Sequence, residues 1–72
     1  GIANGNAGSA IGGGYINSIG PNASYSFLGG GSRNSIQTNA DDSVLGGGYR
    51  NIIGPDASFS FLGGGIQNSI QT

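Results

Sequence analysis

Apolar residues recur along this chain at one fixed interval. Ile11, Leu28, Leu45 and Leu62 form one column and Ile19, Ile36, Ile53 and Ile70 a second, with 17 residues from each member to the next. Polar residues keep the same register: Ser9, Ser26, Ser43 and Ser60 share one column, Asn17, Asn34, Asn51 and Asn68 another. Ala23, Ala40 and Ala57 share a third. No stripe at the helical period of 3.6 runs through the sequence. Alternation is confined to short runs such as Ser26-Phe27-Leu28 and Asn34-Ser35-Ile36, which predict strands of a few residues. Self-similarity at a fixed period marks an architecture in which each unit stacks only on its neighbours. The units are 3–19, which is less regular, then 20–36, 37–53 and 54–70.

Between the short runs stand glycine triplets, at 12–14, 29–31, 46–48 and 63–65. Each Gly would cost about 1 kcal/mol relative to Ala inside a helix. Gly20-Pro21-Asn22 and Gly54-Pro55-Asp56 are turn starters, Pro presetting φ and Asn or Asp bonding its own backbone. A short coil that closes on itself and stacks at about 4.8 Å, the spacing of paired strands, accounts for every column. The expected fold is all-β: a parallel β-solenoid (β-roll) of 17-residue repeats with no helix longer than one turn. The stretch Gly20–Leu28 nearly recurs two units later as Gly54–Leu62. This doubled period leaves open whether one coil takes one unit or two.

Alternation within a strand places Ser and Leu of one run, and Asn and Ile of the other, on the same face. Taking that face as inward, Leu and Ile build a narrow core. Asn17, Asn34, Asn51 and Asn68 then become a buried amide ladder, each side chain bonding the next. The same phase turns Tyr25, Phe27, Asp42, Val44, Phe59 and Phe61 outward. Four exposed rings imply packing of Tyr25, Phe27, Phe59 and Phe61 against a second copy. The opposite phase puts those rings in the core, and adjacent Phe27-Leu28 and Phe61-Leu62 offer apolar groups to both faces.

Seventy-two residues make one small domain over 1–72, or a fragment of a longer fibre. A chain this short buries only about 60% of its surface, and there is no Cys to staple it. Oligomerisation is the usual remedy. The register of the columns argues against a flexible Gly/Ser linker, which has no reason to keep one. Arg33, Arg50, Asp41, Asp42 and Asp56 are the only charged side chains, for a net charge of −1. That gives no field for nucleic acid, and no apolar run approaches the length that spans a bilayer. Arg33 and Arg50 share a column, where they repel unless solvated or paired with Asp of another chain.

There is no His, Cys, Lys or Glu, so a Ser nucleophile would lack its base. Asp41 and Asp42 are strand neighbours facing opposite ways, unsuited to act as an acid and base pair. The Gly triplets lack the Lys and the helix of a phosphate loop. Asn39, Asp41 and Asp42 carry oxygens suited to Ca²⁺, but in one unit only. Asn22-Ala23-Ser24 is a glycosylation triplet at a turn. No catalytic, cofactor-binding or metal residue is therefore assigned.

The pattern Ala40-x-x-Ser43-x-Leu45-Gly46-Gly47-Gly48-x-x-Asn51-x-Ile53 resembles the head repeats of YadA-like trimeric autotransporter adhesins. It is also similar to repeats of some phage and bacterial tail-fibre-like proteins. The resemblance covers roughly Ser9–Thr72. The 17-residue unit is longer than that family's usual repeat, and a Gly triplet in each unit is not its norm. The resemblance implies a left-handed parallel β-roll assembled as trimers on the cell surface. The expectation that follows is a non-catalytic structural module of an extracellular or surface fibre, self-assembling and adhesive. Its expected partners are other copies of itself and a host surface or glycan, without nucleic acid or membrane insertion. The alternatives are an ice-binding β-solenoid, for which Thr is scarce, and a carbohydrate-processing β-helix, for which the carboxylates are missing. Gln71-Thr72 matches Gln37-Thr38, so a further coil or a head-to-tail copy is expected to follow. The irregular Gly1–Gly8 stretch reads as a cap or a degenerate coil.

Overall fold

The computed structural model describes all of residues 1–72. It is a β-solenoid of about four turns, built from eight two-residue strands and no helix. The strands are β1 (Ala10–Ile11), β2 (Ser18–Ile19), β3 (Phe27–Leu28), β4 (Ser35–Ile36), β5 (Val44–Leu45), β6 (Ile52–Ile53), β7 (Phe61–Leu62) and β8 (Ser69–Ile70). Odd strands form one parallel sheet in the order β1-β3-β5-β7, and even strands a second, β2-β4-β6-β8. Register is one unit throughout: Leu28 pairs with Leu45 and Leu45 with Leu62. One coil is therefore one 17-residue unit. The doubled period lies in outward and turn residues, so it leaves coil length unchanged. Single parallel bridges link Tyr15, Ser32, Tyr49 and Ile66 in a third row.

The core is one apolar column from each sheet and the Ala column between them. Ile19, Ala23, Leu28, Ile36, Ala40, Leu45, Ile53, Ala57 and Leu62 are buried together. Each Leu or Ile contributes roughly 1.5–3 kcal/mol by leaving water. The ring-filled core is thereby overturned: Leu and Ile occupy it, and the space inside one short coil admits no more.

The chain turns its corners through left-handed residues. Asn22, Asn39 and Asp56 form one such column, Tyr25, Asp42 and Phe59 a second, and Ile16, Arg33, Arg50 and Gln67 a third, with φ from 53 to 64°. Gly5 and Gly8 fill the first two columns in the first unit, also with positive φ. That unit is thus a coil in register, and Ile2 bridges Ile19. A left-handed residue reverses its peptide. Most N–H groups donate to the following coil, as Phe27 does to the Ser43 carbonyl at 2.9 Å. Those of Arg33, Arg50 and Asp42 instead donate back, to Tyr15, Ser32 and Ser24.

Asn and Asp tolerate this conformation, but a β-branched residue does not. Ile16 sits there at φ 53° with its side chain exposed. Ile16→Asn is expected to stabilise the fold by about 1 kcal/mol, raising the melting temperature by about 4–8 °C for a domain of this size. A calorimetric melt that shifts downward would contradict it.

Candidate functional site

Two features are built from more than apolar packing: an inner polar ladder that recurs in every coil and outer rings that recur in alternate ones. The ladder begins at the corners. After Asn39 and Asp56 the Ala N–H bonds a carbonyl of its own coil, but in the other two columns the residue after a left-handed one points its N–H back to the preceding coil and meets no backbone carbonyl there. The side chain one coil earlier accepts instead. Asn34 N–H donates to Asn17 Oδ1 at 3.0 Å, Asn51 N–H to Asn34 Oδ1 at 2.9 Å, and Asn68 N–H to Asn51 Oδ1 at 2.9 Å. The amides thus do not bond one another, as the sequence reading had it. Each rung runs from side chain to backbone, because both hydrogens of each amide are already engaged. Asn51 Nδ2 donates to the Gly47 carbonyl at 2.8 Å and to the Gly65 carbonyl at 2.7 Å. Asn34 does the same with Gly30 and Gly48, both at 2.9 Å. Asn17, Asn34 and Asn51 are buried. Asn68, in the last coil, is exposed, and its Nδ2 keeps only the Gly64 carbonyl.

A second ladder of the same design runs through the serines. Ser43 N–H donates to Ser26 Oγ at 3.2 Å and Ser60 N–H to Ser43 Oγ at 3.1 Å. Ser26 and Ser43 hydroxyls donate onward to the Ala40 and Ala57 carbonyls. Sequence reasoning placed these serines inward without assigning them a ladder. The signal was present: a Ser in all four units at a position that an apolar residue would fill more readily.

The glycine triplets bind the ladder to the stack. A Cβ on Gly29 would sit 2.5 Å from the Gly46 carbonyl oxygen. A Cβ on Gly31, at φ +82°, would fall on the Gly48 carbonyl oxygen and within 2.8 Å of Asn34 Nδ2. Backbones therefore approach across this wall closer than any side chain permits.

Outside, β3 and β7 carry Phe27 and Phe61, and the left-handed corners just before them carry Tyr25 and Phe59. Tyr25 is 66% exposed, Phe27 46%, Phe59 80% and Phe61 71%. Tyr15, Tyr49 and Ile66 are exposed along the single-bridge row. The Arg50 guanidinium lies 5.2 Å from the Tyr49 ring centroid, a cation–π distance. Arg33, one coil earlier, is exposed. Asp41 accepts a short hydrogen bond from Ser58 Oγ, so this carboxylate serves the coil-to-coil stack, while Asp42 and Asn39 are exposed at left-handed corners. Asn22 is likewise an exposed corner residue. Ile2, Ile11 and Ile16 line a shallow concavity at the first coil. No helix is long and apolar enough to cross a membrane.

Compared with protein-family models, with curated proteins and with solved structures, the chain matches none.

Proposed function

We propose that this chain is a non-catalytic structural module of a fibre or filament outside the cell or on a cell or virion surface, assembling with copies of itself. One observation carries the reading: four aromatic side chains, 46–80% exposed, project from one sheet and the corners that lead into it, in a chain with very few charges. Exposed apolar surface of that kind marks an interaction site. The solenoid itself supplies stiffness, since each coil is fastened to the next by core columns, two polar ladders and backbone bonds. The resemblance to surface-fibre repeats supports the location, and adhesion to a host surface or glycan is the use it suggests.

The test is direct observation of the purified protein. Electron micrographs should show rods, filaments or larger assemblies, and sedimentation at tens of micromolar, a range in which weak protein contacts fill, should show species heavier than one chain. A monomer under both conditions would overturn the proposal.

A further inference from the structure

We infer that the outer face of the β1-β3-β5-β7 sheet pairs with the same face of a second copy, solenoid axes antiparallel, about a twofold axis that runs along the strands. The inference rests on the self-assembly reading above and adds the partner's direction and register. It comes from the order of side-chain sizes. Ala10, Phe27, Val44 and Phe61 are direct ladder neighbours, all facing outward. Their sizes run small, large, small, large. The neighbouring column, Gly8, Tyr25, Asp42 and Phe59, follows the same alternation.

Rings in one column therefore stand two coils apart, about 9.5 Å. A ring from a second copy seated midway would lie about 4.8 Å from the ring on either side, within the 4.5–7 Å of favourable aromatic pairs. The intervening rows are free to receive it. Phe27 Cε2 lies 3.4 Å from where a Cβ on Gly29 would be, and Phe61 Cε2 lies 3.5 Å from the same point on Gly63. Each ring thus lies along its own coil. Ala10 is exposed and Val44 half-buried. Tyr25 leans back over Gly8, its Cδ1 2.8 Å from a Cβ placed there, so the matching rests on the Ala10-to-Phe61 column.

Direction follows from the same order. Read backwards, small-large-small-large becomes its own complement. Two antiparallel copies in full register set Phe27 over the partner's Val44 and Phe61 over the partner's Ala10, and the reverse. All four rows pair, and the contact is isologous and closed. Copies running the same way match only after slipping by one coil, which leaves Phe59 and Phe61 of one copy uncovered. Four rings per copy, each with up to about 150–250 Å² to bury, bring the pair to the lower edge of stable interfaces, about 1,200 Å² in total.

Sedimentation equilibrium on the whole chain and three variants tests this, with circular dichroism confirming the fold of each. Val44→Phe adds apolar surface yet should weaken the dimer by about tenfold or more, because two rings now meet in one row. Phe already occupies this column in two other coils, so the fold accommodates it. Val44→Phe/Phe27→Val should restore the dimer, since large again faces small across the twofold; slipped same-direction pairing gains nothing from that swap. Should Val44→Phe melt too low, Ala10→Phe and its rescue by Phe61→Ala read the same geometry. Stronger association by Val44→Phe, failure of the rescue, or a parent trimer would overturn the twofold register while leaving self-assembly standing. A parent chain that never associates would sink both.

Discussion

Gly31→Ala is expected to abolish the folded state at 25 °C, and the other two glycines of the same triplet show why. The three positions separate two physical constraints. Gly29 has an ordinary φ, but its Cβ would stand 2.5 Å from the Gly46 carbonyl oxygen. Gly30 has open space around its Cβ position but φ +153°. Gly31 meets both constraints, at φ +82° with the Gly48 carbonyl oxygen in the path of its Cβ. The left-handed backbone alone costs an L-residue roughly 1–2 kcal/mol. The collision also pushes Asn34 Nδ2 from its bond to Gly48 at 2.9 Å; that carbonyl keeps the Ser32 N–H, so one buried amide hydrogen is left at a penalty of about 1–3 kcal/mol. With the overlap of Cβ on the carbonyl oxygen added to these terms, the total is on the order of 5 kcal/mol, the lower end of what a small domain possesses. Guanidinium titration followed by circular dichroism should rank Gly31→Ala as the most damaging of the three, with Gly30→Ala retaining a cooperative transition. A Gly31→Ala chain as stable as Gly30→Ala would mean that the coils part without cost at this wall.

How far the sequence anticipates this structure depends on what each residue type encodes. Leu28, Leu45 and Leu62 announce their role, because a column of identical apolar residues at fixed spacing has one economical explanation, a shared core. The coil length was ambiguous only because Gly20–Leu28 and Gly54–Leu62 look alike. What they share beyond the other units is mostly Gly-Pro, Ser24 and Ser58, and aromatic residues at corners or on the outer face. The corners were far less legible. Tyr25, Phe59, Arg33, Arg50 and Gln67 adopt positive φ without any local preference for it. Only Gly5, Gly8, Asp42 and the Asn/Asp column at 22, 39 and 56 hint at the backbone there. The Asn ladder shows the same limit. Spacing and alternation place the Asn side chains inward, but their bond partners depend on which way the following coil's peptides face. That is set by the left-handed residue just before each Asn. The outer rings are legible as exposed side chains and as an alternation of sizes.

The other large effect is expected at Asn51. Asn51→Leu removes the acceptor for the Asn68 N–H, 2.9 Å away, and the donor to the Gly47 and Gly65 carbonyls at 2.8 and 2.7 Å. The Asn68 N–H and the Gly47 carbonyl lose their partner, while the Gly65 carbonyl keeps the Tyr49 N–H at 2.9 Å; the cost is about 1–3 kcal/mol for each group that stays dry. The melting temperature should fall by more than about 15 °C on the scale of 4–8 °C per kcal/mol. Asn68→Leu is the internal control: Asn68 is exposed, and its amide holds one carbonyl instead of two, so the change should cost under about 1 kcal/mol. Asn51→Asp sharpens the point. It keeps an acceptor for Asn68 but aims a second oxygen at two carbonyls inside a buried site. Desolvation and those carbonyl dipoles favour the protonated acid, which can still donate one bond, so its folded pKa rises above the unfolded value of about 3.9. A raised carboxyl pKa gives its contribution below the unfolded value and loses it as pH climbs through the folded one. The gap in melting temperature between Asn51→Asp and the parent should therefore be smallest below about pH 4 and widen towards pH 7. A gap that stays constant with pH, or an Asn51→Leu chain that melts with the parent, would place this column in contact with water and remove the ladder from the account of what holds the coils together.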